Sequence, residues 1–154
     1  MTWLCCHSPA YPDSLHKNLM NKTKVLKNIA YGPHLQQVMD VYFPTTASTD
    51  KKPAPIMVMV HGGAWRIGDK NNAAVINNKV DYCSKQNWLF ISLNYRLLPD
   101  VTVQQQTQDI AAALIYIQKQ AKNWHADPKH LLLMGHSAGA HLVSLLTTRP
   151  LWLT

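Results

Sequence analysis

Gly135-His136-Ser137-Ala138-Gly139 is a G-x-S-x-G pentapeptide. The apolar residues 131–134 precede it and the mostly apolar residues 138–148 follow it. Between a strand and a helix, this pattern describes a sharp turn that lifts a serine hydroxyl clear of the backbone. So tight a turn leaves no room for side chains two residues to either side, which demands Gly135 and Gly139. A helix starting at Ala138 aims its free N–H groups and the positive end of its dipole at the site. The chemistry this suits is attack by Ser137 on an acyl carbon. Outside that context the same residues are a glycine-rich turn with an idle serine.

A second motif, His61-Gly62-Gly63-Ala64-Trp65, follows the apolar run 56–60. Acyl transfer builds negative charge on a carbonyl oxygen, and each donor fixed in advance is worth about 3 kcal/mol. Glycines let backbone N–H groups approach that oxygen unobstructed. The N–H groups of Gly63 and Ala64, with that of Ala138, are the candidate oxyanion hole. His61, Gly62, Gly135 and Gly139 support the two motifs. Trp65 and Tyr95 are candidates for the substrate pocket, and Tyr95 and Arg96 also read as anchors of a strand end. Asp69 reads as a helix N-cap and Lys70 as a solvated charge. Asp109 reads as an exposed cap or salt-bridge partner rather than an acid catalyst. His141, one helical turn beyond Ser137, reads as a structural histidine.

The elements that must carry these residues follow from periodicity. Residues 37–43 (QQVMDVYF from 36) mix β-branched and aromatic types and stop at Pro44, as a strand does. Runs 56–60 (IMVMV), 88–93 (WLFISL) and 131–134 (LLLM) read as strands buried on both faces. Residues 71–86, with apolar positions 73, 76, 80 and 83, have helical spacing. So does 103–124, with Ile110, Leu114, Ile117, Ala121 and Trp124 on one stripe. Strands alternating with helices predict an α/β fold: a three-layer sandwich with a parallel-type sheet covered on both faces. In such sheets the site lies at the carboxyl ends of the strands. HGGAW, Asn94-Tyr95-Arg96 and GHSAG all fall there.

Composition narrows the remaining classes. The chain has 154 residues, 47% of them hydrophobic and 15% charged, so it belongs with globular rather than disordered chains. Residues 1–24 read as an irregular leader and 25–154 as one partial domain. No uncharged apolar run approaches the ~20 residues of a membrane span, and no secretory signal is readable. The net charge is +7, and all eight acidic residues are Asp. The positive charges are scattered; the loose group Lys17, Lys22, Lys24 and Lys27 reads as a solvated face, so no nucleic-acid partner is expected. Three cysteines without a C-x-x-C pair support neither a disulfide framework nor a zinc site, and reduced thiols favour a cytoplasmic protein. No H-E-x-x-H, G-x-G-x-x-G or P-loop is present, so no metal or cofactor is expected.

HGGAW, NYRL and GHSAG, in this order and spacing, resemble the α/β-hydrolases. More narrowly they resemble the esterase/lipase branch that includes hormone-sensitive-lipase-like carboxylesterases and arylformamidases. Tyr31-Gly32-Pro33 with the strand after it, and GHSAGAHL, add to that resemblance, which covers about residues 30–148. The resemblance implies a serine hydrolase acting on small carboxylic esters or N-formyl amides. Ala64 departs from it, since many relatives carry a third glycine there. The family order also places an Asp or Glu and then a His after the serine. The 17 residues after Ser137 contain no acid and only His141. The chain is therefore expected to be the N-terminal part of the sheet, ending just after the elbow helix. Alone it is expected to be nearly inactive. The nucleophile strand would then be an open edge through which the chain self-associates or takes a complementing chain. The alternative is a truncated, non-catalytic remnant that binds a partner through that edge.

Overall fold

The computed structural model describes residues 23–45 and 52–148. The elements in chain order are β1 (Val25–Ala30), β2 (Val38–Tyr42), β3 (Ala54–Val60), α1 (Ala73–Lys85), β4 (Leu89–Leu93), α2 (Val103–Gln120), β5 (Ala126–Gly135) and α3 (Ala138–Thr148). They form one five-stranded sheet, ordered β1-β2-β4-β3-β5. β3 runs parallel to β4 and β5, while β2 runs antiparallel to both β1 and β4. The sheet is thus mixed, where the alternation of elements predicted a parallel one. The short link from β1 to β2 allows only a hairpin, because a parallel pair needs a crossover of about a dozen residues or more.

Alternation along the strands assigns the two faces. Ile56, Val58 and Val60 of β3 join Leu89, Ile91 and Leu93 of β4 against Ile110, Ala113, Leu114 and Ile117 of α2 and Leu142 and Leu146 of α3. Met57, Met59 and Phe90 face the other way, onto Ile76, Val80 and Cys83 of α1. Helices therefore cover both faces, and the three-layer α/β arrangement follows from strand parity. Cys83 is buried, and its thiol donates to Met57 Sδ at 3.6 Å. Burial pushes that thiol up to about 12.

Several boundaries differ from the sequence reading. β1 was not expected; its pattern is broken by exposed Lys27 and Asn28, and its register shifts between Leu26 and Ile29. β5 is longer than 131–134 because Ala126 already pairs with Ala54, before a second register shift. α2 ends at Gln120, although Ala121 stays fully buried beyond it. Its start is secured by a capping box between Thr102 and Gln105. Of the leader expected over 1–24, residues 1–22, with Cys5, Cys6, Lys17 and Lys22, lie outside the described residues, as does the chain beyond 148. Lys24 belongs to the fold, its carbonyl accepting from the Phe43 N–H at 2.9 Å. Among the described residues, no helix is long and apolar enough to cross a membrane, and no group of His, Cys and Asp is placed to hold a metal ion.

Candidate active site

The parallel pairing of β3 with β5 brings the two motifs together. Val60 is in register with Gly135, so His61 and His136 leave the sheet side by side. The His136 N–H donates to Val60 O at 3.0 Å. Ser137 stands at φ 51°, in the left-handed region that a non-glycine residue enters only under constraint. The flanking glycines explain how the turn closes. A Cβ on Gly135 would lie 2.4 Å from the Gly139 carbonyl carbon, and one on Gly139 would lie 2.3 Å from Val60 O. A Cβ on Gly62 would lie 2.9 Å from His136 Nδ1 and 3.1 Å from Ser137 Cβ. The missing side chain at Gly62 is what allows the HGGAW loop to lie against the serine.

That loop is strained along its length. Gly63 and Gly68 have φ 123° and 121°, and between them Ala64 and Trp65 have φ 50° and 62°. Gly63 O accepts from both the Arg66 and Ile67 N–H, each at 3.0 Å. The N–H groups of Gly63, Ala64 and Ala138 take no acceptor among the described residues in the turn and cap bonding of this region. A left-handed alanine costs roughly 1–2 kcal/mol relative to its ordinary conformation, a cost glycine escapes. Ala64→Gly is therefore expected to stabilise the chain by about 1 kcal/mol in urea unfolding while keeping the N–H.

The strain is held at both ends by residues after β4. Tyr95 is buried, stacks on the His61 ring at 4.5 Å and donates its hydroxyl to His61 O at 2.9 Å. Tyr95 thus lies beneath the loop and does not line the cavity, contrary to its assignment to the pocket. The alternation of Ile91 and Leu93 continues to Tyr95, a parity that could have shown it facing the core. At the exit of the loop, Asn94 accepts from the Lys70 N–H at 2.6 Å and donates to Asp69 at 2.9 Å. Asp69 is not the N-cap of α1; Asn72 is. Burial alone would raise the Asp69 carboxyl, but hydrogen bonds from Asn94 and the Asn71 N–H, with the nearby Lys70 charge, hold it below its usual value. Lys70 is not a solvated charge either. It is 3% exposed and pairs at 3.0 Å with Asp40, which is fully buried.

Arg96 and Asp109 tie the same segment to α2. Asp109 is buried rather than exposed, and it takes Arg96 Nη2 at 2.6 Å, Arg96 Nε at 2.9 Å and the Arg96 N–H at 3.0 Å. Gln37 Nε2 donates to it at 2.7 Å. Asp109 is the salt-bridge partner that its reading allowed, but buried. The charge of Lys70 and the burial of Asp109 were misread because their partners lie 30 and 13 positions away, beyond any local pattern.

Above the elbow lies a cavity of about 570 Å³, lined by Trp65, Val103, Ser137, Ala138 and His141. The His141 ring meets the Trp65 ring edge-on at 5.5 Å. Neither His136 nor His141 is hydrogen-bonded to a carboxylate among the described residues. His61 lies under the loop with Nδ1 2.7 Å from Gly62 O, and burial lowers its pKa below the ordinary histidine value. A neutral ring there donates from Nδ1 and adds no charge to the loop. The arrangement offers an exposed serine, a loop with unpaired backbone N–H groups packed against its turn, and an apolar space for a small organic group.

Residues 39–150 match the model of the family described as BD-FAE. The chain belongs to the BD-FAE family. This BD-FAE chain is 28% identical over 121 residues to the isoprenylcysteine alpha-carbonyl methylesterase ICME of Arabidopsis thaliana, covering 79% of itself and 27% of that relative. It is likewise 28% identical to Esterase LipQ of Mycobacterium tuberculosis, over 77% of itself and 28% of that protein. Among solved structures, Esterase B from Lactobacillus rhamnosis matches with a TM-score of 0.69 at 29% identity, over 86% of the BD-FAE chain and 43% of that one. The BD-FAE chain thus spans little more than a quarter of the length of these curated relatives and less than half of that structure.

Proposed function

We propose that this chain carries the nucleophile and oxyanion hole of a serine hydrolase of carboxylic esters, or of N-formyl amides. The observation that carries this reading is the close approach of Gly62 to Ser137, which lays the loop of Gly63 and Ala64, whose N–H groups are unpaired in the turn bonding, against the serine turn. Ser137 Oγ attacks the acyl carbon and its proton passes to a base. The C–O bond to the alcohol, or the C–N bond of an amide, breaks as the leaving group takes that proton, and water then cleaves the acyl-Ser137 ester to release the acid and restore the hydroxyl. The three N–H groups hold the oxygen that becomes negative. The apolar cavity beside Trp65 receives the acyl or the alcohol group of a small substrate. The names of the relatives and of Esterase B support the ester class. Among the described residues no carboxylate is bonded to His136 or His141, so these residues assign no base.

The experiment supplies the base. The purified chain is mixed with p-nitrophenyl acetate and imidazole, the free form of a histidine side chain, beside Ser137→Ala. The expected result is faster p-nitrophenol release from the wild-type chain and an acetyl group on Ser137 by peptide mass. Equal release from both proteins would overturn the reading.

A second reading rests on the outer edge of β5. Among the described residues β5 pairs only with β3, and Leu132 on it is 46% exposed. On this reading the chain binds a complementing segment, or a second copy, by adding a strand there.

A further inference from the structure

We infer that Gln106 is a positioning residue that holds the HGGAW loop in its strained form; this rests on the serine hydrolase reading for its catalytic meaning. Gln106 lies on the inner face of α2 and is fully buried. Its side-chain Nε2 donates to Trp65 O at 2.8 Å, and the Leu98 N–H donates to the same oxygen at 2.9 Å. That carbonyl belongs to the second of two consecutive non-glycine residues at positive φ, directly after the Ala64 donor. Left to itself this backbone would relax toward ordinary φ values and carry the Ala64 N–H away from the serine. Two donors on the Trp65 carbonyl oppose that rotation, and only Gln106 reaches it from a rigid element.

The amide is a poor choice for stability alone. Its Oε1 is buried with no partner among the described residues, while its neighbours Ile110 and Ala113 are apolar. An apolar side chain would fit α2 with no unpaired acceptor. What it would lose is the donor to Trp65 O. Trp65 also lines the cavity and meets His141, so the same bond sets one wall of the space beside Ser137.

The test is Gln106→Met in the 154-residue chain, with Gln106→Leu as a second variant. Amide exchange is followed by NMR at Arg66, Ile67 and Leu98, whose N–H groups bond within or onto the loop. Exchange at these three is expected to accelerate about tenfold or more, with β3, β4 and β5 amides unchanged and Tm equal or higher. Imidazole-assisted acetylation of Ser137 is expected to fall about tenfold, less than the loss of a whole donor. Unchanged loop amides would overturn the clamp. So would acceleration shared by the strands with a lowered Tm, which marks an ordinary core residue. A loosened loop with undiminished acetylation would overturn the link to catalysis. If the wild-type chain shows no Ser137-dependent acetylation, the hydrolase reading fails, and the exchange comparison still decides the clamp.

Discussion

Without added base, the 154-residue chain is expected to hydrolyse p-nitrophenyl acetate no faster than Ser137→Ala. A serine hydroxyl is a weak nucleophile until a base takes its proton, and the base needs a carboxylate to orient it. Ser137 has the turn and the donors, but the nearby His136 and His141 have no carboxylate partner among the described residues. In a well-studied serine protease, losing the base alone lowers kcat by roughly 10⁶-fold, as much as losing the whole triad. The remaining acceleration, about 10³–10⁴ over water, comes from the oxyanion hole and binding, and it survives serine removal. Steady-state release of p-nitrophenol from both proteins should therefore agree within a few-fold. A wild-type rate tens of times higher would mean that a base acts within the chain or across two copies. His141 would be the first residue to replace.

The largest loss of stability is expected from Asp109→Ala. Breaking a buried ion pair from one side costs about 3–5 kcal/mol, because the partners left behind lose their acceptor. Here the acceptor serves three donors at once: the Arg96 guanidinium, the Arg96 N–H and the Gln37 amide. Gln37 is itself 7% exposed and has little water to turn to. Domains of this size are stable by roughly 5–15 kcal/mol, so the change removes a large share. Urea midpoints should fall by about 1.5–2.5 M for a slope near 2 kcal/mol/M. Adding Arg96→Ala should recover part of the loss, since it removes the stranded cation. A midpoint shift under 0.5 M, about 1 kcal/mol at that slope, would show that the pair contributes little.

The strands that pack on both faces, 56–60 and 88–93, were readable because a double-sided apolar run has few other homes. The elbow was readable because its pentapeptide is a local pattern, in which Gly135 answers to the backbone of Gly139 and Ala140, although Gly139 answers to Val60 and His61 far along the chain. The same locality explains what was missed. β1 is an edge strand with exposed Lys27 and Asn28, so little periodicity survives in it. The direction of β2 depends on which strand it pairs with, and that partner, β4, lies about fifty residues on. Tyr95, Asn94, Lys70 and Asp109 carry polar groups whose partners are set by the finished fold. Charge suggested solvent for Lys70 and Asp109, and the fold buries both against opposite charges. Of the candidate site, the serine pentapeptide and the loop glycines were legible as motifs, and Tyr95 and Arg96 as anchors of a strand end; Asn94, Lys70 and Gln106 were not.

The thiol of Cys83 gives the chain an internal clock. Alkylating agents react with thiolate, and a buried thiol with a pKa near 12 is almost wholly protonated at neutral pH. Its sulfur is also shut between α1 and Met57. A reagent can therefore modify Cys83 only when α1 lifts from the sheet. The modification rate at that position reports the frequency of large-scale opening, separately from any motion at the HGGAW loop beyond the end of β3.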